Sequence, residues 1–186
     1  MPATERTGPR VRIVHLDPAT IVALAGADLA AANRTAPVEL TPFLVEPSRL
    51  STWRFRRDQV RADPTVAGWV TGVIWADDLD RVVGQAGFHG PPDGVGMVEV
   101  GYAVEPTFRR RGYGRATVQA LLDRARDEPD VRTVRASVSP DNAASLALIA
   151  PFGFVQVGEQ WDEEDGLELV FEVPAGDGGR PVLSVG

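Results

Sequence analysis

Val104-Glu105-Pro106-Thr107-Phe108-Arg109-Arg110-Arg111-Gly112-Tyr113-Gly114-Arg115 is the stretch that decides the fold. A β-rich run ends at Val104. Downstream, Val118, Leu121, Leu122 and Ala125 fall at helical spacing. The stretch therefore reads as a strand end, a short Arg- and Gly-rich loop, and a helix beginning near Gly112. The first N–H groups of a helix have no intrahelical partners and carry the positive end of its dipole. Such an end binds phosphate oxygens. Glycines let the backbone approach closely and adopt positive φ. Arg109, Arg110, Arg111 and Arg115 add charge and forked donors. In a chain of formal net charge -7, this concentration of arginine points to a pyrophosphate ligand.

Two familiar phosphate loops do not fit. The P-loop needs a lysine after its second glycine, and every basic side chain here is arginine. The dinucleotide fingerprint needs glycine or alanine where Thr117 stands, and its strand should open a βαβ unit early in the fold. Here three β-rich runs come first: Trp69-Val70-Thr71-Gly72-Val73-Ile74-Trp75, Val82-Val83-Gly84-Gln85-Ala86-Gly87-Phe88 and Met97-Val98-Glu99-Val100-Gly101-Tyr102-Ala103-Val104. The turn clusters Asp77-Asp78-Leu79-Asp80 and Pro91-Pro92-Asp93-Gly94 join them, which predicts an antiparallel meander.

Further out, Val11-Arg12-Ile13-Val14 reads as a first strand, and Asp17-Pro18 opens a short helix. Residues 26–47 read as loop with helical pieces. Residues 48–61 predict a helix with Leu50, Trp53 and Val60 inward, and with Arg54, Arg56 and Arg57 on a solvated face. Beyond the central helix, 131–138 predicts a strand with Val134, Ala136 and Val138 on one face. Asp141 or Asn142 caps a helix that carries Leu146 and Ile149 on its apolar side and ends at Gly153. Two more strands, 154–161 and 167–173, flank the turn Asp162-Glu163-Glu164-Asp165-Gly166. The pattern predicts one α/β or α+β domain over 11–173, between flexible ends at 1–10 and 174–186.

The chain has 186 residues, 44% hydrophobic and 24% charged, which suits one globular domain with a buried core. It contains no cysteine, so disulfides, thiol nucleophiles and cysteine-zinc sites are excluded. With only His15 and His89 present, a histidine metal site is not expected, and no metal is assigned. The acidic balance argues against nucleic acid and anionic membranes as partners and suits a cationic one. No apolar run reaches the length of a membrane helix. The start lacks a charged segment followed by an apolar one, so no secretory leader is expected and the cytoplasm is the expected location.

Arg109-x-x-Gly112-x-Gly114 resembles the acyl-CoA signature Q/R-x-x-G-x-G/A of the GNAT N-acetyltransferases. Its companions occur in the right order. Glu99-Val100-Gly101-Tyr102-Ala103-Val104-x-Pro106 is similar to the family's preceding strand, and Asn142-x-x-Ser145 with Gly153-Phe154 is similar to its later helix and strand. The resemblance covers about 69–173 and leans toward the branch that acetylates ribosomal-protein N-termini. It implies a central mixed, splayed and twisted sheet flanked by helices, and acetyl-CoA as cosubstrate. It also implies that Tyr102, Ala103 and Val104 offer main-chain groups to the pantetheine arm. Arg109, Arg110, Arg111, Gly112, Tyr113, Gly114 and Arg115 would hold the pyrophosphate. Asn142 would bond the pantetheine or the next strand, Ser145 would lie near the sulfur, and residues 131–138 would diverge from 97–104. Dimers are common in the superfamily, which makes a homodimer an expectation as well.

The chemistry is amine acylation in a ternary complex. A base must take the amine's proton, directly or through water. Glu99, whose neighbours Val98 and Val100 point to the other face of the strand, is the nominated base, with His89 in reserve. Many family members place a tyrosine seven residues after the asparagine to protonate the thiolate. Ile149 stands there, so Ser145 or water is the nominated donor. Pro151 should disturb the last turn of that helix. The acceptor amine matches no motif. An acyl-CoA-binding module without transferase activity is the alternative, and an ATP-binding protein is a third reading.

Overall fold

The computed structural model describes residues 8–163 and 166–176. The chain divides into two compact units, Met1–Gly87 with Tyr102–Ala120 and Phe88–Gly101 with Leu121–Gly186.

In the first unit, β1 (Val11–Val14), β2 (Gly72–Ala76) and β3 (Arg81–Phe88) form antiparallel ladders, and the end of β4 (Met97–Val104) extends them through Glu105 N–H donating to Val83 O at 2.9 Å. Gly84 permits this approach, because a Cβ there would stand 2.2 Å from Ala103 O. Helices α1 (Pro18–Ala25), α2 (Leu29–Thr35) and α3 (Pro47–Ala62) belong to the same unit. Asp17 and Asp28 cap α1 and α2 by accepting from Thr20 and Ala31 N–H, each at 2.8 Å. Ile21 and Leu24 of α1, Trp53 and Val60 of α3, and Val73 and Val82 of the sheet share one core.

Two expectations for this unit are corrected. Strand β2 begins at Gly72, not Trp69. Asp63-Pro64 starts a 3-10 turn in which Trp69 and Val70 donate their N–H groups back to Val66 O, and those donors are then lost to a ladder. Arg56 is not on a solvated face. It is 5% exposed, with Nε donating to Thr71 Oγ1 at 3.0 Å and Nη1 to Gln59 Oε1 at 2.8 Å. Bonds to neutral oxygens let a cation stay inside here, and helical periodicity alone does not reveal them.

Trp53 is fully buried, and its indole N–H donates to Leu44 O at 2.8 Å. Trp53→Ala is expected to cost about 3–5 kcal/mol of unfolding free energy, because a large cavity and an orphaned carbonyl appear together. Urea denaturation with an unchanged m-value would register that cost as a lower midpoint.

In the second unit the first half of β4 pairs in parallel with β5 (Thr133–Val138), and β5 pairs antiparallel with β7 (Gly166–Pro174), which pairs with the edge strand β6 (Val155–Asp162). The parallel ladder holds three pairs and stops after Glu99↔Arg135, whereas β5 stays paired to β7 as far as Val138↔Leu169. In this unit β4 and β5 are thus splayed beyond Glu99. Strand β5 starts two residues later than expected, because Arg132 and Thr133 N–H both donate to Gly96 O. The loop before β4 is closed by Asp93, whose carboxyl is held below its ordinary pKa by the Met97 and Val95 N–H groups. Helix α4 (Tyr113–Asp127) contributes residues to both units. Helix α5 (Ala143–Ile149) closes before Pro151 instead of kinking at it, and passes into a 3-10 turn that ends at Gly153 with φ +80°.

Candidate active site

The loop after β4 leads directly into α4 and carries two residues of positive φ. Pro106 opens a 3-10 turn, Arg109 follows in extended conformation, and α4 starts at Tyr113. Arg110 has φ +62° and Gly112 φ +91°, so the chain visits the left-handed region twice just before the helix. For arginine that costs about 1–2 kcal/mol. Backbone strain of this kind is characteristic of sites where main-chain N–H groups must point at a ligand. Gly112 O accepts from Ala116 N–H at 3.0 Å, which makes Gly112 the residue from which the helix starts.

The surroundings brace the loop. Arg109 Nε donates to Val104 O at 3.0 Å and ties the loop to the strand it leaves. Phe108 and Tyr113 meet edge to face at 6.2 Å, with the Arg81 and Arg111 guanidinium groups over the Phe108 ring. Tyr113 is buried, and its hydroxyl donates to Asp78 Oδ2 at 2.7 Å. Burial first and that bond second push the phenol above its ordinary pKa. Tyr113 can therefore offer a ligand its main chain but not its side chain. Arg109, Arg110, Arg111 and Arg115 are exposed. Tyr102, Ala103 and Val104 are half-buried, and Ala103 packs against the core of its own unit. The Glu105 N–H is committed to Val83 O and is unavailable to an oxyanion.

A second constellation lies in the other unit and joins both nominated bases. Glu99 Oε1 accepts from Ser137 Oγ at 2.6 Å and stands 3.8 Å from His89 Nδ1. Gly101, two residues along β4 from Glu99, seats the imidazole: a Cβ there would come within 2.9 Å of His89 Nε2. Gln160 Nε2 donates both to Ser137 Oγ at 3.1 Å and to Glu168 Oε2 at 2.9 Å. Sequence reading misses Ser137 and Gln160. The signal for Ser137 is the alternation within β5, where Thr133, Arg135 and Ser137 share the face opposite Val134, Ala136 and Val138. What the alternation cannot show is that β5 lies beside β4.

Asn142 is the N-cap of α5, its Oδ1 accepting from Ser145 N–H at 3.1 Å. That side-chain oxygen is occupied, while Ser145 is half-buried on the first turn. Ile149 is 1% exposed and brings no hydroxyl to the site. Among the described residues, no group of three or more His, Cys, Asp and Glu side chains could hold a metal ion, and no helix is long and apolar enough to cross a membrane.

Strand β4 thus runs from its short parallel ladder with β5 into the loop that precedes α4. The family model described as acetyltransferase (GNAT) domain matches residues 10–155, and the chain belongs to this family. It is 33% identical over 101 residues to the uncharacterized N-acetyltransferase YjdG of Bacillus subtilis, an alignment that covers 54% of this chain and 60% of that protein. The chain thus spans less than two thirds of that relative's length. Its fold resembles that of Mycobacterium smegmatis RimJ, solved in complex with CoA-disulfide, with a TM-score of 0.62 at 22% identity over 90% of this chain and 86% of that one. It also resembles that of the ribosomal-protein-S5-alanine acetyltransferase from Vibrio fischeri, with a TM-score of 0.59 at 16% identity over 97% and 100%.

Proposed function

We propose that this protein is an N-acetyltransferase that moves an acetyl group from acetyl-CoA to a primary amine by direct attack in a ternary complex. The observation that carries the reading is the twice left-handed turn at Arg110 and Gly112 leading into α4, directly after β4. Main-chain N–H groups of 110–115 hold the diphosphate, and the exposed arginines neutralise it. The chain's membership of the GNAT family and the CoA complex of its structural relative support acetyl-CoA over other nucleotides. A cytoplasmic setting goes with this reading, because acyl-CoA thioesters are intracellular carriers.

In the reaction, Glu99 takes a proton from the bound ammonium. The neutral nitrogen attacks the thioester carbonyl, and the tetrahedral intermediate expels CoA as thiolate. Ser145 or water relays to the sulfur the second proton that the attacking nitrogen must shed, leaving a neutral amide and the CoA thiol. An alkyl amine with a pKa near 10.4 has only about one molecule in a few thousand neutral at pH 7, so the base supplies a large part of the rate. The acceptor is a protein N-terminus or a small amine.

Isothermal titration with acetyl-CoA and CoA tests the first half of this reading. Binding in the micromolar range is expected, with ATP a poor competitor, and silence at millimolar ligand would remove the proposal. A panel of amines assayed by release of free thiol tests the second half. If CoA thioesters bind but no amine in the panel yields thiol, the non-catalytic binding module is the correct description.

A further inference from the structure

We infer that Ser137 and Gln160 are positioning residues that lock one oxygen of Glu99 in place and leave the other, Oε2, as the proton acceptor. This rests on the reading of Glu99 as the base. An ionised carboxylate can only accept, so the hydroxyl of Ser137 is the donor in its 2.6 Å contact with Glu99 Oε1. The amide of Gln160 has its nitrogen, not its oxygen, toward Ser137, because the same nitrogen also meets the carboxylate of Glu168. Ser137 Oγ therefore receives a hydrogen from Gln160, and its own hydrogen has one destination. Donation runs one way, from Gln160 to Ser137 to Glu99.

The arrangement spans four strands. Glu99 is on β4, Ser137 on β5, Gln160 on β6 and Glu168 directly opposite Gln160 on β7. Both partners of Glu99, Ser137 and the more distant His89, converge on Oε1, and among the described residues no hydrogen bond reaches Oε2. Arg135, the register partner of Glu99, is engaged by Glu172, with Nη2 at 2.6 Å and Nε at 3.0 Å from Oε1. The ionisable groups around the carboxylate in this unit are therefore His89, the Arg135–Glu172 pair and, through Gln160, Glu168. The Glu99 side chain keeps 18% of its surface exposed, which leaves a path for a proton. A carboxylate that swivels would spend much of its time misdirected, and misplacement by an ångström costs on the order of a hundredfold in rate.

The test compares Ser137→Ala, Ser137→Thr and Gln160→Leu with wild type in steady-state kinetics across pH. Ser137→Ala is expected to lower kcat roughly tenfold or more with the acetyl-CoA KM unchanged. The loss should fall on kcat, with Gln160→Leu showing the same pattern to a smaller degree and Ser137→Thr restoring the rate. A contact that merely ties strands together would lower stability and leave kcat at its wild-type value, and that result overturns the inference. Should Ser137→Ala fail to fold, the exposed Gln160 carries the test. The comparison is repeated on His89→Gln. A persisting loss of kcat from Ser137→Ala assigns the role to Glu99, and a vanished one assigns it to the imidazole and sinks the proposal. Glu99→Gln separates the two levels: if it retains wild-type kcat the base itself is wrong, and if it is crippled while the Ser137 and Gln160 variants behave as wild type, only the positioning role fails.

Discussion

Gly114→Glu is expected to weaken acetyl-CoA binding by about a hundredfold while leaving the fold intact. The residue is in the first turn of α4, two positions after the left-handed Gly112. A new carboxylate at about 6 Å from a phosphate charge, at an effective dielectric near 20, raises the energy by about 3 kcal/mol. That corresponds to roughly two decades in Kd. The same carboxylate is favourable for the helix, because an acidic residue in the first turn complements the dipole. Stability and affinity should therefore move in opposite directions: an unfolding midpoint equal to or above that of wild type, with titration heats shifted to far higher ligand concentration. High salt should recover part of the affinity, since the added repulsion is screened within about 10 Å at 0.1 M. Gly114→Ala, which adds bulk without charge, should lose much less. Equal losses from Ala and Glu would mean that steric fit, and not anion binding, governs this helix start. No loss from either would place the diphosphate elsewhere.

The strand end, loop and helix start around 104–113 are legible in the sequence because they are local. Strand end, proline, arginines, glycines and an amphipathic run fall within a few turns of chain, and each has a physical meaning that does not depend on the rest of the fold. The structure starts and ends β4 at the expected residues, Met97 and Val104, and packs Val118, Leu121, Leu122 and Ala125 inside. Asn142 caps α5 as its residue type suggests. What is not legible depends on partners distant in sequence. Tyr113 reads as part of a phosphate loop, yet its ring is turned inward onto Phe108 and its hydroxyl to Asp78 in the β2–β3 turn. Arg56 looks like one of several surface arginines until Thr71 and Gln59 are seen to satisfy it.

Glu99 and Ser137 show the same division at the site. Each lies on the polar face of its own strand, and alternation alone places both. Their contact requires that β4 and β5 be parallel neighbours, joined by a crossover that includes all of α4. Nothing in either strand's composition announces that pairing, because a parallel ladder is set by the topology of the connection and not by a turn. Similarly, the value of Gly101 comes from His89, a residue on another strand's end, whose ring occupies the space that a side chain would take.

The second large effect concerns Glu99 itself. Glu99→Gln keeps the shape of the side chain and still accepts the Ser137 hydroxyl bond at Oε1, but it cannot take a proton. A positioned base contributes about 10²–10⁴ in rate, so kcat should fall by that order while acetyl-CoA affinity stays within a factor of two or three of wild type. The size of the loss should depend on the acceptor. An alkyl ammonium near pKa 10.4 gives up its proton reluctantly, whereas an α-amino group near 7.7–8.0 is already about a tenth neutral at pH 7. If the natural acceptor is a peptide N-terminus, the variant should retain more activity at neutral pH than it does on a small alkyl amine. For both acceptors the activity of Glu99→Gln should climb with pH as solvent deprotonates the amine, so that the gap to wild type narrows toward pH 10. The variant's rate should track the neutral fraction of the acceptor. Steady-state rates for one α-amine and one alkyl amine across pH, on the wild type and Glu99→Gln, decide the matter. A variant whose profile matches that of wild type would assign the proton to another group, and His89, 3.8 Å away, is the residue to which it would pass.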